Sequence, residues 1–577
     1  MYVSVEETSN RLADLAVTIT PQCTQDRVTN LAIRVQISNS HLKPDDVVVK
    51  MPLELAKIPT TRYDGDSLKA SDDLGPLPLV IKDDAPGPPI IYRSWTTQRA
   101  NLGDIVVTGV ASPRKVDKST QSGPAFDLRE DNCGLVGSGY SFLPLPPDGE
   151  DNSCVKLHFE LGYAPQWCQS AWTHAHSFSQ PTTWKSTKPS ALHSALYMVG
   201  PIHSLDSTRN QTAVGVESES LFGVYWLSRP PFDIEQVAAE CRRTYKFICD
   251  LFEDSGQSFR IFIRRDPYPV VRGGLAQPRC FLLSFGSLLG EDSTNFEFFG
   301  ALFTHETIHT WLTLDELEIL EKGTQWYHEG LAEYYSLFFR YMNGSLDREV
   351  LRKEANIRAQ AYYTSPLVDC SDLEASKRSW QTANAQHLPY RRGFVFFVQL
   401  NALIESATNG KRTLVDLVIF MVKKSQELNK PLGLEDFLSR LEEDLGSNAR
   451  HLYEHMACGK LVIPPRKSLL PGLVLERRDM ETFDLGFDEA SILKGPRVVT
   501  ELKQGSRAAA AGILNGDEII KWTDLNRCKE NFELKMEVTV RREGFNQGEE
   551  ELNIAFWPRS WEKAEGYQWV SEEFGLK

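Results

Sequence analysis

The chain changes its hydrophobic period once, and that change divides it. In residues 31–37 the apolar side chains Leu31, Ile33, Val35 and Ile37 alternate with smaller or polar ones, and residues 155–161 repeat the pattern with Val155, Leu157, Phe159 and Leu161. Such alternation predicts strands of a sheet with one wet face. Shorter runs at 47–49 and 105–107 add to it, while 60–89 and 113–149, rich in Asp, Gly, Pro and Ser, read as long polar loops. From Asp233 onward Ile234, Val237, Cys241, Tyr245, Ile248 and Phe252 recur at three and four, the spacing of a helix that buries one stripe. A mostly helical region follows, with strands expected at 259–265 and 279–285 and further helices at 329–341, 391–406, 413–424 and 434–445. Pro464, Pro465, Pro471 and Gly472 mark a linker, after which short apolar runs at 498–502, 518–520, 535–542 and 551–556 predict a second small sheet. The expected fold class is multidomain α+β: a β-rich domain over 1–205, a helical domain over 206–463 and a small domain over 473–560.

Composition changes this picture little. At 577 residues the chain exceeds what one core supports, and 41% hydrophobic with 24% charged residues is ordinary for a globular protein. A net charge of -15 offers no basic stripe for a phosphate backbone, so nucleic acid is not expected as a partner. No apolar run approaches the length of a membrane span, and the first residues show no basic region followed by an apolar stretch. The ten cysteines lie scattered without CxxC pairs, which fits reduced thiols in a cytoplasmic protein. No membrane association is expected.

The candidate chemistry lies in Thr304-His305-Glu306-Thr307-Ile308-His309 and in Trp326-Tyr327-His328-Glu329-Gly330-Leu331-Ala332-Glu333. Residues four apart on a helix share a face, so His305 and His309 can aim both imidazoles at one point. The apolar residues Phe296, Phe298, Phe299, Leu302 and Phe303 give that helix a buried side. Glu329, nineteen intervening residues after His309, is placed to supply a carboxylate from a second amphipathic helix. Two imidazoles and a carboxylate are a set that holds one Zn2+ and leaves a fourth position for water, whose proton Glu306 can take. The bland alternative is a pair of helix histidines packed in a core. Glu333, one turn beyond Glu329, is a candidate to accept a hydrogen bond from a ligating histidine. His328 should point elsewhere.

Beyond the linker, Leu485-Gly486-Phe487, Gly505-Ser506-Arg507-Ala508-Ala509 and Gly516-Asp517-Glu518-Ile519-Ile520 resemble the PDZ family. That resemblance implies a groove able to take a peptide C-terminus as an added strand, with 485–487 as the carboxylate loop. A stabilising appendage is the alternative.

The order of these parts, with 305–311, 326–335, Tyr390-Arg391-Arg392-Gly393 and Gly410-Lys411-Arg412-Thr413-Leu414, resembles the glycyl aminopeptidase family of gluzincin zinc metallopeptidases. The resemblance implies a thermolysin-like catalytic domain, one zinc ion, peptide or protein substrates and aminopeptidase action. It implies that Tyr390 steadies the oxyanion, a role that needs a neutral donor; a packed core tyrosine is the alternative. It also implies that Gly273, Gly274 and Leu275 line the cleft as an edge strand. Where that family carries Gly-Gly-Leu-Glu-His, this chain has Gly273-Gly274-Leu275-Ala276-Gln277, so a carboxylate that could grip a free α-amine is missing and endopeptidase action stays open. The second reading is a peptide-binding scaffold protein with a structural or inactive zinc site.

Overall fold

The computed structural model describes residues 15–572 except 87–89, 118–119, 121–122, 149–153, 174, 177–181, 186–187, 207–221, 255–257, 268–271, 287–293, 313, 316, 380, 429, 494–495 and 544–548. The alternating segments form a seven-stranded sheet in the order Thr182–Lys185, Cys154–Phe159, Leu15–Cys23, Val28–Ile37, Ile105–Ala111, Leu68–Asp72, Gly75–Leu77. Leu15, Val17, Ile19, Ile33, Val35, Val107 and Leu157 point inward from it, one face of each strand, and pack on Met51 and Trp95 of a four-stranded sheet. Its strands include Val47–Leu55 and Ile90–Thr97. Residues 60–89 and 113–149 are not plain loops. They carry the short strands Leu68–Asp72, Gly75–Leu77 and Leu79–Asp83, and Arg129–Asp131 and Gly134–Ser138. Each of these spans only three to five residues, and of them Leu68–Asp72 alternates buried and exposed positions.

A five-stranded sheet made of Arg129–Asp131, Gly134–Ser138, Leu196–Gly200, Gln169–Trp172 and Ala175–His176 joins this region to the next. Its Val136, Ala171, Leu196 and Met198 pack on Tyr225, Phe262 and Leu282 of a further five-stranded sheet, ordered His203–Asp206, Phe222–Trp226, Phe259–Arg265, Cys280–Phe285, Arg272–Gln277. The three inner strands of that sheet run parallel, and Arg272–Gln277 closes it as an antiparallel edge. Because both faces are covered, Phe259–Arg265 is buried along all but its last residue, with Arg260 and Arg264 enclosed among its apolar side chains. The opposite face, with Val224, Ile261, Ile263, Phe281 and Leu283, carries the helices.

Those helices are α1 (Ile234–Phe252), α2 (Thr294–Ile308), α3 (Leu317–Lys322), α4 (Gln325–Met342), α5 (Arg348–Tyr363), α6 (Asp372–Arg378), α7 (Ala383–Ala407), α8 (Leu414–Leu428), α9 (Leu434–Leu445) and α10 (Asn448–Ala457). Asp233 caps α1 by accepting from the amides of Glu235 and Gln236, which explains the abrupt start of its period. On α2, Phe299 and Phe303 are core residues; the side chains of Phe296 and Phe298 lie outside those described. The helix expected at 391–406 starts earlier, capped by the Thr382 hydroxyl, and Pro389 sits within it. Proline removes a helical hydrogen bond and normally marks a start, but buried Leu388, Phe394 and Phe397 hold the turns on both sides of it.

Past the linker, Glu518–Trp522, Met536–Glu543 and Glu549–Phe556 pair as a three-stranded sheet over a separate small core that includes Leu485, Phe487, Ile513, Ile519 and Val538. Pairing continues beyond residue 560. Arg559–Ala564 pairs with Met480–Phe483, and Tyr567–Ser571 returns to pair with Leu473–Arg477, burying Trp569 against the helical core. The nine cysteines whose side chains are described are free. Among the described residues no helix is long and apolar enough to cross a membrane.

Candidate active site

α2 delivers His305, Glu306 and, at its end, His309, where the helix tightens into the turn His309–Trp311. Trp311 anchors that turn: its ring stacks on Phe252 at 5.6 Å and its indole N–H donates to Asp254 at 2.8 Å. α4 crosses α2 and brings Glu329 between the two imidazoles. Glu329 Oε2 lies 3.3 Å from His305 Nε2 and 3.5 Å from His309 Nε2, and one ligand atom from each residue falls within 4.8 Å of the others.

These separations suit a metal. Two donors about 2.0–2.1 Å from a tetrahedral zinc lie roughly 3.4 Å apart, which is what the two short contacts measure. His305 Nδ1 lies 3.1 Å from Glu333 Oε1 and donates its proton there, so Nε2 presents a lone pair toward Glu329. Glu329 Oε2 is buried and makes no hydrogen bond despite that approach. An acceptor facing a lone pair in a buried position is unfavourable unless a proton or a metal cation lies between them. His305, His309 and Glu329 therefore fit a zinc ion. His328 is buried alongside, turned away from this group, and belongs to no such cluster.

The electrostatics point the same way. Burial disfavours a charged His305 ring, yet Glu329 and Glu333 outweigh it and raise its pKa to about 10 when no cation is present. Burial likewise opposes ionisation of Glu329, but His309 and His305 hold its carboxyl well below the usual range. A divalent cation among these atoms would do the work of that extra proton. Glu306 differs: burial raises its pKa, against the pull of His305 and His309.

Glu306 is wedged against the edge strand. A Cβ on Gly274 would lie 2.7 Å from Glu306 Oε1, so only glycine lets the carboxylate lie on the strand at that point. The Ala276 amide hydrogen-bonds the same carboxylate. Gly274 thus touches the Glu306 carboxylate and Ala276 takes part through its backbone, while the Leu275 side chain turns to the other face of the sheet and packs in the core between the two five-stranded sheets. On the other side Tyr390 stacks on His305, rings 6° from parallel with centroids 5.8 Å apart. Its hydroxyl hydrogen-bonds Glu329, and burial keeps it a neutral donor.

Sequence reasoning missed the close seat of α4 on α7 at Gly330 and Gly393, the clamp on Glu333 by Arg358 of α5 at 2.6 Å, and His387, whose ring stands edge-on to Tyr390 at 6.0 Å. His387 and Tyr390 are three apart on one helix, a spacing that could have drawn attention to the former.

No protein-family model matches the sequence, and no curated protein matches it. Among solved structures, an aminopeptidase N family protein from Idiomarina loihiensis is similar over 97% of this chain and 98% of its own, with 14% sequence identity and a TM-score of 0.63. An M1 zinc metallopeptidase from Deinococcus radiodurans bound to a Tyr-Ser-Ala substrate covers 78% of this chain and 94% of its own, at 14% identity and a TM-score of 0.48. Yeast LTA4 hydrolase matches 78% of this chain and 69% of its own, at 13% identity and a TM-score of 0.45. At such identities the likeness to the Idiomarina protein is one of fold: a β-rich amino-terminal region followed by a helical one, along nearly the whole length of both chains.

Proposed function

We propose that the chain is a zinc-dependent peptidase, with His305, His309 and Glu329 holding one Zn2+, Glu306 as general base and acid, and Tyr390 as oxyanion donor. The observation that carries this is the convergence of the three donor atoms around a buried, unpartnered carboxylate oxygen, with a second, half-buried carboxylate, Glu306, beside them. When bound, the metal supplies Lewis acidity, lowering the pKa of a water to about 7 and polarising the scissile carbonyl. Glu306 accepts the proton of the attacking water and returns it to the leaving amine. Its raised pKa favours that uptake, and the Ala276 amide aims the carboxylate. Tyr390 donates to the developing oxyanion from a hydroxyl that stays neutral. The edge strand Arg272–Gln277 offers backbone groups for an extended peptide to pair with.

The finer reading is an aminopeptidase of the glycyl aminopeptidase type, cytoplasmic, with a carboxyl-terminal PDZ domain able to hold a peptide C-terminus near 485–487. Free thiols throughout the described residues support the compartment, and the small separate core around Leu485 and Phe487 supports the domain. Ala276 supplies no carboxylate for a free α-amine.

Purified protein should carry one zinc per chain and hydrolyse a peptide library, losing activity to a chelator and regaining it with zinc. Comparing free with N-blocked peptides separates exopeptidase from endopeptidase action. Metal-free native protein, or hydrolysis indifferent to chelation, would sink the proposal.

A further inference from the structure

Arg358 joins three of the helices around the site, α4, α5 and α7. It projects from α5 with only 14% of its side chain exposed, and its Nε donates to Glu333 Oε2 of α4 at 2.6 Å. Nη1 donates to Glu354 Oε2 at 2.9 Å within α5, and Nη2 approaches Ser336 Oγ of α4 at 3.4 Å. Its guanidinium lies 5.9 Å over the ring of Phe394 on α7, one turn beyond Tyr390. The other oxygen of Glu333 is the acceptor for His305 Nδ1, so a single carboxylate links the guanidinium to the imidazole. On its far side α5 is braced by the returning strand: the Asn356 side chain accepts from the Trp569 amide at 2.8 Å and donates to the Trp569 carbonyl at 2.9 Å.

We propose that Arg358 is a positioning residue for the metal site, holding Glu333 in the one orientation that fixes the His305 ring. The inference rests on the zinc reading above. The planar fork of arginine suits the task, because its separate N–H groups engage Glu333 and Glu354 at once and so leave Glu333 no freedom to rotate. Remove the guanidinium, and Glu333 shares the site with Glu306 and Glu329 with no cation of the protein facing it from α5; like charges drive it outward. His305 then loses the acceptor that sets its tautomer and plane. Partners of ligands at this remove are worth about 10–100-fold in metal affinity.

The test is zinc affinity of the full chain, read by competition with a chromophoric chelator, alongside the melting temperature of the zinc-free protein. Arg358→Met should weaken zinc binding by about 10–100-fold, and Glu333→Gln by a similar factor. Because both act through one carboxylate, the double variant should lose no more than the worse single. Arg358→Lys should recover part of the affinity, and Glu354→Gln, which leaves the Glu333 contact in place, should bind as wild type does. Wild-type affinity in Arg358→Met, or losses that multiply in the double variant, would overturn the proposal. So would an equal loss in Glu354→Gln. Should Arg358→Met not fold, Arg358→Lys with its own Glu333→Gln double carries the same comparison. A wild-type chain that binds no zinc is a different result, and overturns the zinc reading instead.

Discussion

Gly330 of α4 and Gly393 of α7 meet backbone to backbone: a Cβ on Gly393 would lie 2.7 Å from the Gly330 Cα and 2.4 Å from the Trp326 carbonyl oxygen. One residue before Gly330 is the carboxylate Glu329, and one turn before Gly393 is Tyr390. The closeness of the two helices is therefore what sets the hydroxyl beside the carboxylate. Gly393→Ala should cost ~1–3 kcal/mol by overpacking, read as a lower melting temperature. Its effect on kcat should be larger than stability explains, about 10–100-fold, because Tyr390 moves with the helix.

Glu306→Gln keeps the shape of the side chain and removes its basicity. Hydrolysis should fall by about 10²–10⁴-fold while zinc content stays at one per chain. Metal analysis and turnover on the same preparation check it, and retained turnover would contradict the assigned role.

Gly274→Ala puts a methyl group where the Glu306 carboxylate lies, 2.7 Å from Oε1 and 2.9 Å from Cδ. The glutamate is the flexible partner and gives way, so stability should change little. The displaced base should lower kcat by roughly tenfold or more, with zinc affinity unaltered. A wild-type kcat would mean that the carboxylate works from another position.

His193 predicts an acid-sensitive amino-terminal region. Fully buried, it stacks on Tyr140 at 5.3 Å and donates from Nε2 to the Leu143 carbonyl at 2.8 Å, and burial lowers its pKa from 6.5 to about 4. The unfolded chain thus binds a proton between those values that the folded one refuses. Stability should be whole above pH 6.5 and decline as pH falls toward 4, by roughly 3 kcal/mol in all. Glutamine at this position keeps a donor for Leu143 and cannot titrate. Melting of His193→Gln should lose that part of the pH slope; an unchanged slope would clear His193 of the effect.

What could be read from the chain alone was what repeats locally. The three-to-four period found α1, α4 and α9, and the four-residue spacing placed His305 and His309 on one face before any neighbour was known. Glu333 emerged from the same spacing, as one turn beyond Glu329. Contacts between distant segments left no such trace. Nothing near Gly274 announces that Glu306, thirty-two residues on, needs its missing side chain, and nothing around Arg358 points to Glu333. The helix expected from 391 begins at Ala383 instead, because apolar packing on both sides of Pro389 holds the turns before it. The short strands within 60–89 and 113–149 owe their form to partners elsewhere in their sheets, such as Gly109 opposite Leu68, rather than to their own polar composition.

The bond pair between Asn356 and Trp569 spans 213 positions of sequence. Contacts so far apart close late and slow folding, since a long loop must be ordered before they form. During synthesis α5, which packs on α4 and α7, gains this further brace only once the strand Tyr567–Ser571 has emerged, so the outer side of the helical domain is completed only when almost all of these 577 residues have been made.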